Sequence, residues 1–505
     1  MTQKTKYTYF NKNFFYVFTI ILVGLILRYY YFTEINAWFD EWNILYTVDP
    51  NVSNEDTWKR YYGDRGDYYI LPEYYPPLYA FLLKLVLSIF GYTAENSSAV
   101  SLIFGSGSLV LVFCLTRIIS TYKISLITTI LVSFNLFLIW QSSEIRPHSF
   151  VVFFSLLNII FFFKLFEQGN LKKISIPILY VLFSVILVSS WPFALIIFFG
   201  KFIFLFHDFF INKKKNIYIF FCIIVSLVIY IILNYEYLIY HLSRDEHYTK
   251  LYINFFYSYH FRSFFGSIVL GAIFLILFSY LSLINIKKII FNSNKVNLLF
   301  FIIISSYFLT IIYSILGASV ISPKYVIFIL PLIIIWMTIK IEESNIKFKN
   351  HLLLFLVFGS LLNCIIYFYD NPIERPPTKK VLEIISNSNT KRILTTDGTV
   401  FANFIRTNKM FINNNLSIDN VSYQGGISYK NGLMILSYEN GVRIETINLN
   451  KNDFWFLCLN NPRFAVGKNI LPDLKQCKFL DDYDYLNLEK EIRLPDYLLK
   501  KYSYR

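Results

Sequence analysis

Residues 75–90 read YPPLYAFLLKLVLSIF, and the topology of the whole chain turns on them. The stretch is apolar, but it is short, opens on Pro76-Pro77 and carries Lys84 in its middle. A membrane-crossing helix needs about 20 predominantly apolar residues. Around it lie longer apolar runs at 14–32, 99–119, 124–140, 149–166, 174–190, 193–210, 217–233, 266–284, 298–316, 325–339 and 352–369, each an expected span. The loops between these runs are of two kinds. One kind carries lysine: 117–123, Lys172-Lys173, Lys213-Lys214-Lys215, Lys287-Lys288 with Lys295, and 340–349. The other is poor in lysine, or long and mixed: 33–74, 141–148, 190–192, 234–265 and 317–324. The two kinds alternate strictly. With the basic N-terminus (Lys4, Lys6, Lys12) in the cytoplasm, every lysine-bearing loop falls inside, as the positive-inside bias requires. Were 75–90 a span, all later loops would change sides. It therefore reads as an interfacial helix on the outer face, with Lys84 snorkelling to the headgroups.

The composition agrees. The chain has 505 residues, 55% hydrophobic, 20% aromatic and only 16% charged, with a mean hydropathy of +0.48. These values point to a polytopic α-helical membrane protein of about 11 spans. The formal charge of +14 is carried largely by orienting loops and the tail, so no nucleic-acid partner is implied. No small-residue cleavage site follows the first apolar run, which reads as a retained anchor. After residue 369 the composition changes. DNPIERPP at 370–377 is a linker, and 378–505 alternates helix-like (379–386) and strand-like pieces (392–396, 433–438, 443–449, 454–459). A small α/β domain outside the cytoplasm is expected. Cys458 and Cys477 can pair there if the tail is outside, while Cys114, Cys222 and Cys364 lie in apolar runs as packing.

This sidedness gathers three features on the outer face. The first is FTEINAWFDEWNILYT at 32–47, whose adjacent Asp40 and Glu41 are flanked by Trp38, Phe39 and Trp42. Ionisable groups at a membrane boundary are functional suspects, and a solvated loop start is the bland alternative. The second is SSEIRPH at 142–148, where Pro147 suits a first helical position and Arg146 and His148 flank a helix N-terminus. The third is Ser322-Pro323-Lys324-Tyr325, with Ser322 read as an N-cap and Pro323 as a helix start. A cation at a helix N-terminus opposes the macrodipole by roughly 0.3–1 kcal/mol. Two such misplacements make sense if an anion such as phosphate sits between them; both cations snorkelling to lipid phosphates is the other reading. Arg28 reads as a snorkelling arginine or as a partner of Glu34 or Asp40. Trp191-Pro192 reads as an interface anchor and helix start, 244–247 as a solvated loop, and His260-Phe261-Arg262 as a possible cover for a lipid cleft. The histidine spacing suits no zinc site, and no glycine-rich phosphate loop, nucleotide fingerprint or serine elbow occurs. With outward-facing acids and no nucleotide site, an activated donor must come from the membrane. A polyprenyl-phosphate-linked sugar fits.

In order, the chain shows an arginine ending the first span, a DE pair, a PPLY helix, the SSEIRPH junction, a PKYVIFILP span and an outer tail. This order resembles the GT-C membrane glycosyltransferases, specifically the protein O-mannosyltransferase and aminoarabinose-transferase-like branch. The chain departs from that pattern at Tyr75 (commonly His), at Arg146-Pro147-His148 (commonly Arg-x-Tyr) and at Lys324-Tyr325 (commonly Arg-Tyr). The last keeps the charge and loses the bidentate fork. The resemblance implies Asp40 as general base with Glu41 beside it, and Arg146, His148 and Lys324 as holders of the donor phosphate. Glu144, Tyr325, Arg28 and Lys84 would shape the pocket. It also implies an inverting displacement onto a hydroxyl of a lipid, glycan or protein acceptor. No metal is required, though a divalent ion near Asp40, Glu41 and Glu144 stays open. A polysaccharide polymerase or ligase is the enzymatic alternative. A lipid or solute transporter is the non-enzymatic one, disfavoured by the lack of internal repeats and by charges clustered at one face. Single cysteines at positions 40 and 146 are expected to react with an impermeant maleimide from outside intact cells; reaction from opposite surfaces would overturn the topology.

Overall fold

The computed structural model describes residues 3–34, 41, 44–45, 47–62, 75–168, 174–213, 216–242, 255–316, 322–369, 378–390, 392–395, 417–420, 453–459, 477, 480–481, 484–494 and 497–504. Among them, seven helices are long and apolar enough to cross a membrane: Phe14–Phe32, Ala94–Ile119, His148–Glu167, Pro192–Asn212, Ile268–Phe291, Lys295–Ile315 and Lys349–Tyr369. They coincide with seven of the expected spans. The remaining four expected spans are helical but short or interrupted. Ser175–Val188 has 14 residues and Ile217–Leu233 has 17. The run 124–140 splits into Tyr122–Ser133 and Leu136–Gln141, because the Asn135 side chain accepts from Leu138 N (3.0 Å) and starts a new helix.

The segment 323–343 departs from the expected single helix. A 3₁₀ turn, Pro323–Val326, precedes the helix Ile329–Glu343. Pro331 accounts for the break. It sits in the first turn of the shorter helix, where a missing N–H is tolerated; a helix running from 323 would hold it in the interior, against a carbonyl one turn back. Every residue from Ile329 to Ile341 is buried, so this helix forms the centre of the helical body. It is tied to the helix Tyr122–Ser133 by a hydroxyl–hydroxyl bond between Thr128 and Thr338 (2.8 Å).

The stretch 75–90 forms the helix Leu78–Phe90. At 13 residues it spans about 20 Å, short of the roughly 30 Å hydrocarbon layer.

By contacts the chain forms two units. One comprises Met1–Thr33, Tyr74–Tyr79 and Ser98–Pro372, and the other Glu34–Glu73, Ala80–Ser97 and Ile373–Arg505. The loop 33–98, read from sequence as part of the membrane domain, thus falls largely with the tail's unit. The tail carries the helix Thr378–Ser386 and a five-stranded sheet of β1 (Arg392–Thr395), β2 (Ser417–Asn420), β3 (Phe454–Leu459), β4 (Leu486–Arg493) and β5 (Tyr497–Tyr504). Its order is β2-β1-β3-β5-β4, parallel among the first three and antiparallel thereafter. The pieces expected at 433–438 and 443–449 lie outside the described residues. Phe454, Phe456, Leu480, Leu498 and Tyr502 form a core around a disulfide between Cys458 and Cys477, whose Cα atoms are 5.5 Å apart. Lys500 is buried and donates to both Asp481 carboxylate oxygens (2.8 and 2.6 Å), and the Tyr502 hydroxyl donates to the same carboxylate. Burial, with that carboxylate beside it, pushes the Tyr502 phenol well above its ordinary range.

Replacing Cys458 and Cys477 together by serine is expected to destabilise the tail by about 3 kcal/mol, the chain-entropy value for a loop of this size. The check is the urea concentration at which thermolysin begins to cut the tail of the full chain; no shift would show the crosslink to be dispensable.

Candidate functional site

The junction 142–148 is held by serines. A chain leaving one helix and entering another strands carbonyls that must be satisfied. Ser142 Oγ donates to Leu138 O (2.6 Å), Ser143 Oγ to Trp140 O (2.7 Å) and Ser149 Oγ to Gln141 O (2.8 Å). From the helix Ala94–Ile119, Ser101 donates to the carbonyls of Glu144 and Arg146. That helix comes this close because position 105 is glycine: a Cβ there would lie 2.6 Å from Ser142 Cβ. The junction so fixed buries Glu144 and His148 together, with Glu144 Oε2 3.2 Å from His148 Nδ1. The carboxylate sets the tautomer and leaves Nε2 for another group. Arg146 is half-buried; its Nη1 donates to the Tyr75 hydroxyl (3.2 Å) and its guanidinium carbon lies 5.8 Å from the centre of that ring. Tyr75 therefore has a defined use at the position where the family commonly has histidine.

The second cation stands on the 3₁₀ turn. Lys324 and Tyr325 are half-buried, with Lys324 Nζ 5.6 Å from the Tyr325 ring centre. Between them and the first junction sits Trp191, which is buried. Its Nε1 donates to Tyr325 O (2.9 Å), and its ring lies 5.3 Å edge-on from His148, 5.8 Å from Tyr75 and 5.9 Å from Tyr325. Glu144, Arg146, His148, Lys324 and Tyr325, singled out from sequence, thus share one place. Trp191 was read only as an interface anchor. Its signal was positional: the 190–192 loop faces the same side as the other two junctions.

Four expectations need correction. Arg28 neither snorkels nor meets an acid among the described residues. It is buried, and Nη1 donates to Gly24 O (3.0 Å) and Ser133 O (3.3 Å) while Nη2 donates to Val132 O (3.3 Å). The last carbonyls of the helix Tyr122–Ser133 lie at its negative end and draw a cation. Arg28 also lines a small cavity with Gly105, Ser108, Ser142 and Ser149, against the junction. Lys84 does not reach for headgroups either. Its Nζ donates to Val52 O (2.8 Å), Ser53 O (3.1 Å) and Thr57 Oγ1 (2.7 Å), fastening the start of the helix Asn54–Tyr61, and burial lowers its pKa. Ser322 makes no side-chain cap, and Lys324 stands on a 3₁₀ turn, so the dipole argument does not apply there. His260 is buried against Phe264, bonded to the Tyr307 hydroxyl (3.1 Å), and is core.

Of the acid pair, Asp40 lies outside the described residues, and Glu41 is buried. Residues 244–247 also lie outside them. Among the described residues no three His, Cys, Asp or Glu side chains are grouped to hold a metal, and Glu144 is engaged by His148.

No family model matches the sequence, and no curated protein matches it. Solved structures do match. ArnT from Cupriavidus metallidurans, both bound to undecaprenyl phosphate and in the apo state, aligns at a TM-score of 0.58 and 8% identity over 96% of this chain and 97% of its own. The chain has the ArnT fold. The resemblance read from the order of motifs is met at that level. An Archaeoglobus fulgidus oligosaccharyltransferase tethered to an acceptor peptide aligns at 0.44 and 11% identity over 77% of this chain and 63% of its own.

Lys84→Met is expected to release the segment 52–57, since it leaves two carbonyls and a hydroxyl without their donor. Limited proteolysis should then cut between 49 and 62 at least several-fold faster than in the parent; an unchanged rate would remove Lys84 as the clamp.

Proposed function

We propose that the chain is a membrane glycosyltransferase that moves a sugar from a polyprenyl-phosphate donor to an acceptor hydroxyl. The observation that carries this reading is that Arg146, held by Tyr75, and Lys324, against Tyr325, come from separate helix junctions to one cluster of rings around Trp191 that also includes His148, in a chain with the ArnT fold. Two cations held beside one ring cluster suit a phosphate diester that gains charge as it leaves. The ArnT of the matching structure holds undecaprenyl phosphate, a ligand of that class. The helical body supplies the apolar surroundings a polyprenyl chain needs.

In this mechanism Asp40 takes the proton of the acceptor hydroxyl, and the oxygen attacks the anomeric carbon from the face opposite the phosphate. The carbon–oxygen bond to the phosphate breaks, its electron pair goes to the phosphate oxygen, and the configuration inverts. Arg146 and Lys324 stabilise the resulting phosphate monoester. His148, its Nδ1–H taken by Glu144, donates from Nε2 to a phosphate oxygen as the imidazolium, and Glu41 and Tyr325 shape the pocket. The acceptor is a lipid, glycan or protein hydroxyl. The N-terminus is cytoplasmic, and the site and tail face outward in a plasma or inner membrane. The Cys458–Cys477 disulfide supports the outward tail, because such bonds persist in oxidising compartments.

The test is purified protein incubated with a panel of lipid-phosphate sugars and acceptors, with products followed by mass spectrometry. Asp40→Asn should keep donor affinity and lower transfer by at least about 10²-fold, the usual contribution of a general base. Arg146→Ala should weaken donor binding by tenfold or more with acceptor binding little changed. Near-normal turnover in the first variant removes Asp40 from the mechanism, and unchanged donor affinity in the second discards the phosphate site.

A further inference from the structure

We infer that Trp191 is a positioning residue that sets the spacing of the two phosphate-binding cations, a role that rests on the donor-site reading above. Its backbone is pinned on both sides: its N–H donates to Leu187 O (3.1 Å) and its carbonyl accepts from Ala194 N (3.1 Å). Pro192 follows at the first position of the turn Pro192–Ala194, so the chain around the indole has little freedom. The side chain then reaches three elements at once. Through Nε1 it holds the carbonyl of Tyr325, in the same 3₁₀ turn as Lys324. Phe193 stacks on the Tyr325 ring at 4.9 Å and steadies the turn from the same loop. Through its ring Trp191 touches His148 and Tyr75, and Tyr75 holds Arg146.

The arrangement makes one side chain the common reference for both cations. Lys324 is registered by a directional hydrogen bond, and Arg146 by way of the Tyr75 ring. A phosphate gripped by two charges depends on their separation, and misplacement by about 1 Å can cost 10²-fold in a reacting complex. No ordinary replacement keeps both functions. Phenylalanine keeps a ring for Tyr75 and His148 and loses the donor to Tyr325, which separates the two arms of the argument.

The experiment is a double-mutant cycle on binding of undecaprenyl phosphate to the full chain in detergent. W191F is expected to raise the Kd about tenfold, the effect of one hydrogen bond of ordinary strength. In the Lys324→Ala background the same change should raise it less than about twofold, because residues that act through one another are not additive. W191F is scored only if it elutes as the parent does and melts at the same temperature. Should it fail that, 3-benzothienylalanine at 191, an isostere without the N–H, takes its place. Additive losses, or an unchanged Kd in W191F, overturn the positioning role while leaving the phosphate site intact. Failure of the parent chain to bind overturns the phosphate site and this inference with it, so the two failures are told apart.

Discussion

A charged or hydrogen-bonding group inside an apolar helical body must be satisfied by protein, because hydrocarbon offers no partner. Much of the structure follows from how each such group meets that demand. Arg28 closes the open end of the helix Tyr122–Ser133. Lys201, fully buried, donates to Asn158 Oδ1 and to the Tyr180 hydroxyl (3.3 Å), while Asn158 is held in turn by Ser184 (2.7 Å). These groups are consumed in joining helices. Arg146 and Lys324 differ, being half-buried and faced by aromatic rings. A ring face attracts a cation through its quadrupole and holds it at the edge of the apolar body.

The same demand accounts for where the helices break. Stranded carbonyls and N–H groups at a break need side chains or turns to cap them. Asn135 caps one restart, a run of serines stitches 142–149, and Pro323 and Pro331 bracket a 3₁₀ turn. Breaks are where backbone and short side chains can be aimed with most variety, so the candidate site is assembled from junctions and not from helix faces.

Much of this was legible in the sequence. Alternating lysine content in the loops placed 75, 144–148, 190–192 and 324 on one side, and the structure brings Tyr75, His148, Trp191 and Tyr325 into ring contact. The helical body and the first and third strands of the tail followed from apolar runs and strand-like alternation. Strands β4 and β5 escaped because LNLEKEIR carries four charges in eight residues and shows little apolar content; it lies at the sheet edge, paired only with the adjacent β5, which joins the sheet through the distant β3. Arg28 and Lys84 were misread for a related reason. A long basic side chain near a membrane boundary looks the same whether it reaches lipid or a neighbouring carbonyl, and the carbonyls lie some 105 and 32 positions away. Trp191 fell in the same gap: tryptophan belongs at interfaces as well as in hydrogen-bonded cores.

Gly105 carries a last consequence. It lies in the middle of a helix whose charged residues, Glu95 and Arg117, stand near its two ends, yet its bare Cα is what permits Ser142, and with it the turn toward Arg146, to settle where it does. A single added methyl there would act as a spacer, lifting one charged arm relative to the other without touching either. Evolution of ligand size in such a scaffold can therefore run through small residues on neighbouring helices, leaving the polar signature intact and making relatives with different ligands hard to separate by motif.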